Sequence, residues 1–371
     1  MARPPPLARA LAIGSTLLAL LLSGGPASAQ QVLAQPAPVP LTRIAFGSCA
    51  DQERPQPIWQ AVLAYKPELF IFAGDNVYGS VRREKLTPRL GKLRRAYTDA
   101  ARVDGIRRMR EAAEIMAVWD DHDFGLNDGG ADHPFRAEAK ALFMDFWRLA
   151  ADDPRRGRDG LYHARIFGPE GARVQVILLD TRWFRSPLAP TDQSGAPGKE
   201  RYVPDPDPAK TMLGEVQWLW LAEQLRQPAE LRLVVSSVQV LAEGHGWERW
   251  GNFPRERQRL FDLIRETGAN GVVFLSGDRH LGGLYRETTG TPYPMLDVTS
   301  SGISHAGGGR NEITGPNRLG DAYRDENFGT VDVDWAAGTV TLSVRGMDGA
   351  AVLQTSIGLA ELTGQGPSDG R

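Results

Sequence analysis

Apolar positions gather in short, nearly continuous runs rich in β-branched residues: TRIAF (42–46), ELFIFA (68–73), EIMAVW (114–119), RVQVILL (173–179), RLVVSSV (232–238) and NGVVFLS (270–276). Runs of that length with little alternation predict strands buried on both faces. Between several of them the apolar residues take helical spacing, in PQPIWQAVLAYK, PFRAEAKALFMDFWRLA, LGEVQWLWLAEQL and PRERQRLFDLIRETG. The last opens with Pro254 and closes with Gly268, as helices often do. Strand, polar turn and helix in succession predict an α/β fold. In the C-terminal third, YPMLDVTSS, NFGTVDVDW and GTVTLSVRG are separated by glycine-rich turns with no long helix. These are expected to be antiparallel strands that complete or cap a sheet.

The polar residues after the strand runs change the picture from fold to chemistry. Cys49, Asp75, the group Asp120 to Asp123, Arg182, Gln239, Asp278 and His280 each follow an expected strand closely. In open α/β sheets ligands bind beyond the carboxyl ends of the strands, so one sheet edge can gather all of these side chains. Taken singly, each has a plain structural explanation: a strand-end aspartate caps the next helix, and a lone histidine is usually a satisfied core or surface group. Taken together they are too repulsive to persist without compensation, because each carboxylate raises the pKa of the next. One or two multivalent cations would hold such a set together and keep it deprotonated. Thiolate and phenolate favour iron, whereas oxygen donors favour calcium, magnesium or manganese.

Composition narrows the function classes. The 371 residues are 42% hydrophobic and 24% charged with a net charge of −2, an ordinary globular balance able to bury a full core. Basic residues are scattered, so neither nucleic acid nor an anionic membrane is an expected partner. Arg3 and Arg9, the apolar stretch 10–22 and Ala27-Ser28-Ala29 have the layout of a secretory signal peptide over 1–29. The competing reading, a membrane span, needs about 20 apolar residues and the run is shorter. A Pro/Gln/Ala linker (30–40), a folded body (41–360) and an unstructured tail (361–371) complete the expected organisation, with an exported, periplasmic or secreted location. The lone cysteine, Cys49, excludes an intramolecular disulfide.

The series FGSC, AGDNVYG, VWDDHD, LLDTRWFR, MLGEVQWLWL, SSVQV and LSGDRH resembles the PhoD-type alkaline phosphatases of the calcineurin-like metallophosphatase superfamily, over most of 41–345. The resemblance implies a four-layer α/β/β/α sandwich of two mixed sheets flanked by helices. It also implies a phosphoesterase in which a metal-bound hydroxide attacks a small-molecule phosphate ester at a dinuclear centre. On that reading Asp75 bridges the two ions and Cys49 and Tyr78 bind Fe(III). Asp121, Asp278 and His280 complete the metal ligands, and His122 protonates the leaving group. The carboxylate-rich set suggests calcium as the second ion, with manganese, magnesium and zinc as alternatives. Arg182 is a candidate contact to a phosphate oxygen, or else the partner of a carboxylate. Asn76, Asp120, Asp123, Asn127 and Gln239 are expected either to support the site or to join it. His245 and His305 sit in glycine-rich loops that could border the cleft, and Trp183, Trp218, Trp220, Trp247 and Trp250 are expected in the core and cleft walls. The β-sandwich domain that many relatives carry ahead of FGSC is not expected in the sequence before it.

Two other readings compete. A phosphodiesterase, including phospholipase D-like activity, would use the same centre. An inert metal- or phosphate-binding exported protein would keep the carboxylates but would not need Cys49, Tyr78 and His122 together. A serine hydrolase is disfavoured, because no G-x-S-x-G elbow follows an expected strand.

Overall fold

The structure, a computed structural model, describes residues 39–309 and 314–364. The expected signal peptide, most of the linker and the end of the tail lie outside these residues. In chain order the strands are β1 (Arg43–Gly47), β2 (Leu69–Ala73), β3 (Glu114–Val118), β4 (His163–Phe167), β5 (Val174–Leu178), β6 (Ala189–Pro190), β7 (Tyr202–Val203), β8 (Leu231–Ser236), β9 (Val272–Ser276), β10 (Gly282–Glu287), β11 (Met295–Ser300), β12 (Phe328–Asp334), β13 (Thr339–Arg345) and β14 (Ala351–Gly358). The α-helices are α1 (Trp59–Tyr65), α2 (Gly91–Ala100), α3 (Asp104–Ala112), α4 (Asp121–Phe124), α5 (Arg136–Phe146), α6 (Gly214–Leu225) and α7 (Pro254–Thr267).

Two six-stranded mixed sheets dominate, in the orders β14-β13-β12-β1-β2-β3 and β10-β11-β9-β8-β5-β4. In the first, β1, β2 and β3 are parallel and β12, β13 and β14 extend the sheet antiparallel from β1; in the second, a parallel centre is flanked by antiparallel β10 and β4. Every residue of β2, β5, β8, β9 and β11 is buried, as their largely apolar runs lead one to expect. Phe70 and Phe72 of β2 pack on Trp59 of α1, and Phe72 also meets Trp147 just beyond α5. On the second sheet, Gln175 of β5 donates to the Gln224 carbonyl of α6 at 2.8 Å. Helices thus cover both sheets, and the chain folds as an α/β sandwich. Between the sheets, Gly282 of β10 opposes Val344 of β13 so closely that a Cβ would lie 2.5 Å from its methyl group.

The four expected helices form at α1, α5, α6 and α7, the last with Pro254 in its first turn and Gly268 at φ +64° closing it. Two expectations are corrected. Met295–Ser300 is not purely antiparallel, since it runs parallel to β9 and antiparallel to β10. The packed body also passes residue 360, because Leu362 is fully buried and its carbonyl accepts the Gly271 N–H at 2.7 Å. Segment 91–112 adds a helical pair, α2 and α3, for which no element was expected.

β1 and β12 are held together by one close fit. Gly329 stands directly opposite Phe46, and a Cβ there would fall 2.1 Å from the phenyl ring. A side chain at 329 must displace that ring from a fully buried position, so Gly329→Ala is expected to destabilise the fold by about 1–3 kcal/mol. Urea unfolding checks this; an unchanged midpoint would show that the ring can move freely.

Candidate metal centre and cleft

The carboxyl ends of β1, β2, β3, β5, β8 and β9 meet where the two sheets join, and there Ser48 pairs with Ser301 across the junction. Close approach is made possible by Gly74, at φ +107°, whose missing Cβ would stand 2.7 Å from Asp120 Cβ and 2.8 Å from Ser237 Cβ. Four side-chain-bearing residues share this strained backbone: Cys49, Asp75, Asp278 and His280, at φ 60°, 48°, 69° and 55°. Left-handed backbone costs an L-residue roughly 1–2 kcal/mol and is concentrated at functional sites. At each strand end it turns the chain sharply, so the chemistry-bearing residues follow the sheet edge instead of continuing the strand.

These turns bring the donors together. Cys49 Sγ lies 3.5 Å from Asp75 Oδ2 and 3.0 Å from Ser301 Oγ. Tyr78 Oη is 3.0 Å from His280 Nε2, and the His280 N–H donates to Ser301 Oγ at 2.7 Å. Among the described residues four groups have donor atoms within 4.8 Å of one another: Cys49-Asp75-His280, Asp75-Asp121-His122, Asp75-Asp120-Asp121-Asp278 and Asp121-Asp128-Glu248. Asp75 belongs to three of them.

The electrostatics of the bare protein are unfavourable. Burial, followed by the neighbouring Cys49 and Asp121, drives the Asp75 carboxyl well above the usual carboxylate range. Burial does the same to Asp278 against the opposing pull of Arg279, and raises Asp120 despite Arg182. The Cys49 thiol is pushed up to about 11 by burial, although hydrogen bonds from Ser301, Tyr78 and Ser48 work the other way. Only Asp121 is lowered: burial would raise it, but His122, Arg182 and the Asp128 N–H together outweigh that. Asp120 Oδ2 is buried with no hydrogen-bond partner. A buried carboxylate oxygen left unpaired among other carboxylates fits a bound cation, as does the mixed thiol, imidazole and carboxylate set.

VWDDHD divides into distinct roles. Asp120 precedes the single-turn helix α4, and Asp123 reaches back to accept the Asp120 N–H at 2.5 Å. Asp123 also accepts from the backbone and side-chain N–H groups of Asn76, while Asn76 Nδ2 donates to the Val118 carbonyl. Asp123 and Asn76 therefore brace the loop. His122 sits between Ser80 Oγ, 2.7 Å from its Nδ1, and the Tyr78 ring, stacked at 4.1 Å. Its Nε2 lies 4.0 Å from Asp121 Oδ1.

Arg182 is not available to a phosphate oxygen in a bidentate contact. It is fully buried; Nε donates to Asp120 Oδ1 at 2.6 Å, and Nη1 and Nη2 grip Glu248 at 2.8 and 2.9 Å. Carboxylates in a dry site outcompete any other use of that guanidinium. Gln239 also lies apart, bonded to Tyr285, Thr299 and His245. Asn127, by contrast, lines the open cleft, a cavity of about 330 Å³ with Asp121, His122, Asp278 and His280 on its floor. Arg201, Tyr202 and Trp247 form its wall, and Asp128 anchors both Arg201 and Tyr202 at 2.6 Å. His305 stacks on His280 at 3.9 Å, whereas His245 is buried.

Sequence reasoning missed Glu248, Asp128, Ser80 and Ser301. Glu248 is buried, its carboxyl raised to about 7 by burial against the pull of Arg182. Its position in EGHGWERW carries no strand-end signal. Ser80 lies one residue beyond AGDNVYG and Ser301 ends the run YPMLDVTSS, and small hydroxyl residues at such places are indistinguishable from turn formers.

A profile of the PhoD-like phosphatase family matches residues 44–313. Alkaline phosphatase D of Bacillus subtilis (strain 168) is 24% identical over 282 residues, 66% of this chain and 47% of its own, so the chain spans about half the length of that curated relative. A solved structure of PhoD superposes with a TM-score of 0.65 at 18% identity, over 86% of this chain and 70% of the other. GAP50, the anchor in the inner membrane complex of Plasmodium, superposes at 0.53 with 13% identity, over 88% and 90%. At these identities the two superpositions establish the fold alone.

The raised carboxyls of Asp75, Asp278 and Glu248 give the metal-free protein a definite pH response. In the unfolded chain these groups release protons near pH 4, whereas the native state holds them to higher pH, so native stability falls as pH rises. The loss should begin near pH 4, with Glu248 titrating at about 7; Asp121 opposes it at lower pH, and His133, His163 and His305, pushed down to about 4 by burial, oppose it up to their ordinary value near 6.5. Relative to Glu248→Gln, whose amide does not titrate, the urea midpoint of metal-free wild-type protein is therefore expected to fall between about pH 5.5 and 8. No loss relative to that variant would contradict the assigned burial.

Proposed function

The chain belongs to the PhoD-like phosphatase family, and from that premise we propose that it is an exported metal-dependent phosphoesterase acting on small-molecule phosphate esters at a dinuclear centre. The observation that carries this reading is the position of Asp75, common to the thiol-imidazole group and to two groups that include Asp121. Cys49, Tyr78, Asp75 and His280 would hold one ion, of Fe(III) type by its thiolate and phenolate donors. Asp75, Asp121, Asp278 and the unpartnered Asp120 Oδ2 would hold a harder one, of calcium type. Bound there, the ions supply charge neutralisation and an activated water for in-line displacement at phosphorus.

The protein's own groups do the rest. His122 holds the proton that passes from Nε2 to the leaving oxygen, while Ser80 at Nδ1 and the stacked Tyr78 ring fix the imidazole in place. Arg182 acts at one remove, neutralising Asp120 and Glu248 from behind and so keeping the floor of the cleft rigid. Trp247, Tyr202 and Arg201 bound the space for the rest of the ester. The signal-like N-terminus supports export.

Two outcomes test this. Asp75→Asn is expected to lose both metals and all turnover, measured by elemental analysis beside an assay panel of monoester, diester and phospholipid; retained metal and turnover would remove the bridging role. His122→Asn is expected to lower kcat for alkyl phosphates by roughly 10²–10⁴ while largely sparing 4-nitrophenyl phosphate, whose leaving group needs no proton. Equal losses on both substrates would assign His122 to binding instead of proton donation.

A further inference from the structure

A second cavity, of about 370 Å³, opens beside the outer edges of β3 and β4 and shares no lining residue with the catalytic cleft. β3 and β4 end the two large sheets, and Arg165 of β4 spans the gap to Glu114 of β3 at 2.5 Å. The polar lining is strongly biased toward positive charge. Arg110, Arg148, Arg155 and Arg165 contribute, and Glu114 is the acidic member. Asp153, outside the lining, grips Arg155 through both carboxylate oxygens at 2.9 and 2.6 Å. An excess of two positive charges remains. His163 adds none at neutral pH, since burial and then the charge of Arg155 push its pKa down to about 4.

The unspent charge sits on Arg110 and Arg148. Arg110 stacks over Phe146 and Trp147 at 4.5 and 4.9 Å and spends one hydrogen bond on the Phe146 carbonyl. Its pKa is lowered by burial and then by the charge of Arg148. The Arg148 side chain is exposed and forms no ion pair among the described residues. Phe143, Trp147 and Leu149 give the same cavity an apolar wall, and the Trp147 indole N–H is buried without a partner. Two guanidinium charges lining one cavity repel unless an anion lies between them, and aromatic stacking fixes the direction of one guanidinium beforehand.

We propose that this cavity is a second ligand site, which binds a small organic anion: an oxyacid head held by Arg110 and Arg148, on a compact aromatic or acyl body set against Phe143, Trp147 and Leu149. Its volume is that of a small-molecule site, and planar guanidinium pairs suit carboxylate and phosphate heads alike. The two head groups are separated by experiment. Metal-loaded full-length protein is titrated calorimetrically with 4-bromobenzoate and with 4-bromophenylphosphonate, and bromine anomalous scattering from soaked crystals locates each bound probe.

Bromine is expected in the cavity beside Arg110 for at least one probe, and the tighter of the two identifies the natural head group. Arg148→Glu should weaken that binding roughly tenfold or more without moving the thermal midpoint, because an exposed, unpaired side chain is replaced. Equal binding by wild type and R148E, bromine density confined to the metal cleft, or no binding at millimolar probe would each overturn the proposal.

Discussion

Four carboxylates withdrawn from water at one sheet junction set the terms for the rest of this structure. Asp75, Asp120, Asp121 and Asp278 bring oxygen atoms within 4.8 Å of one another, the first three buried and Asp278 partly so. At that spacing in a dry interior, mutual repulsion and desolvation together reach several kcal/mol per group unless opposite charge is supplied. From within the fold comes Arg182, locked between Asp120 and Glu248 with no exposed surface. It compensates one flank of the cluster only, and the unpartnered Asp120 Oδ2 marks the flank that a cation must serve.

The fold is arranged to create and then tolerate this congestion. The parallel strands of each sheet aim their carboxyl ends at one junction, and left-handed backbone at Cys49, Asp75, Asp278 and His280 turns the chain just beyond them. The strain of those turns is offset by the buried strands that carry them: β1 before Cys49, β2 before Asp75, and β9 before Asp278 and His280. Around the donors, hydroxyls of Ser80, Ser237 and Ser301 and amides of Asn76 fix orientations without adding charge. Neutral donors suit such a site, because each added charge would raise the desolvation cost again.

Much of this could be read from the chain alone, for a physical reason. A strand buried on both faces is apolar at most positions, so the polar residues just beyond it mark the sheet edge, which is where Cys49, Asp75, Asp121, Asp278 and His280 stand. The helical pair α2 and α3 escaped attention although Leu93, Ala96, Tyr97 and Ala100 have helical spacing, because the surrounding arginines hide that narrow apolar stripe. Arg182 and Glu248 illustrate a different limit: which carboxylate an arginine pairs with, 66 positions away, is decided by packing and not by neighbours in sequence. A buried arginine beside an aspartate-rich motif looks the same in sequence whether it faces substrate or braces the loop behind it.

The need for a cation is tested most directly by counting protons. Calcium and manganese are each titrated into metal-free protein at pH 7 in buffers of different ionisation enthalpy, so that the heat of binding reports the protons displaced. Because burial holds Asp75 and Asp278 above their ordinary range until a cation enters, the ion that binds should release protons, with affinity that rises with pH. Tight binding with no proton release would contradict the assignment of those carboxyls to the centre.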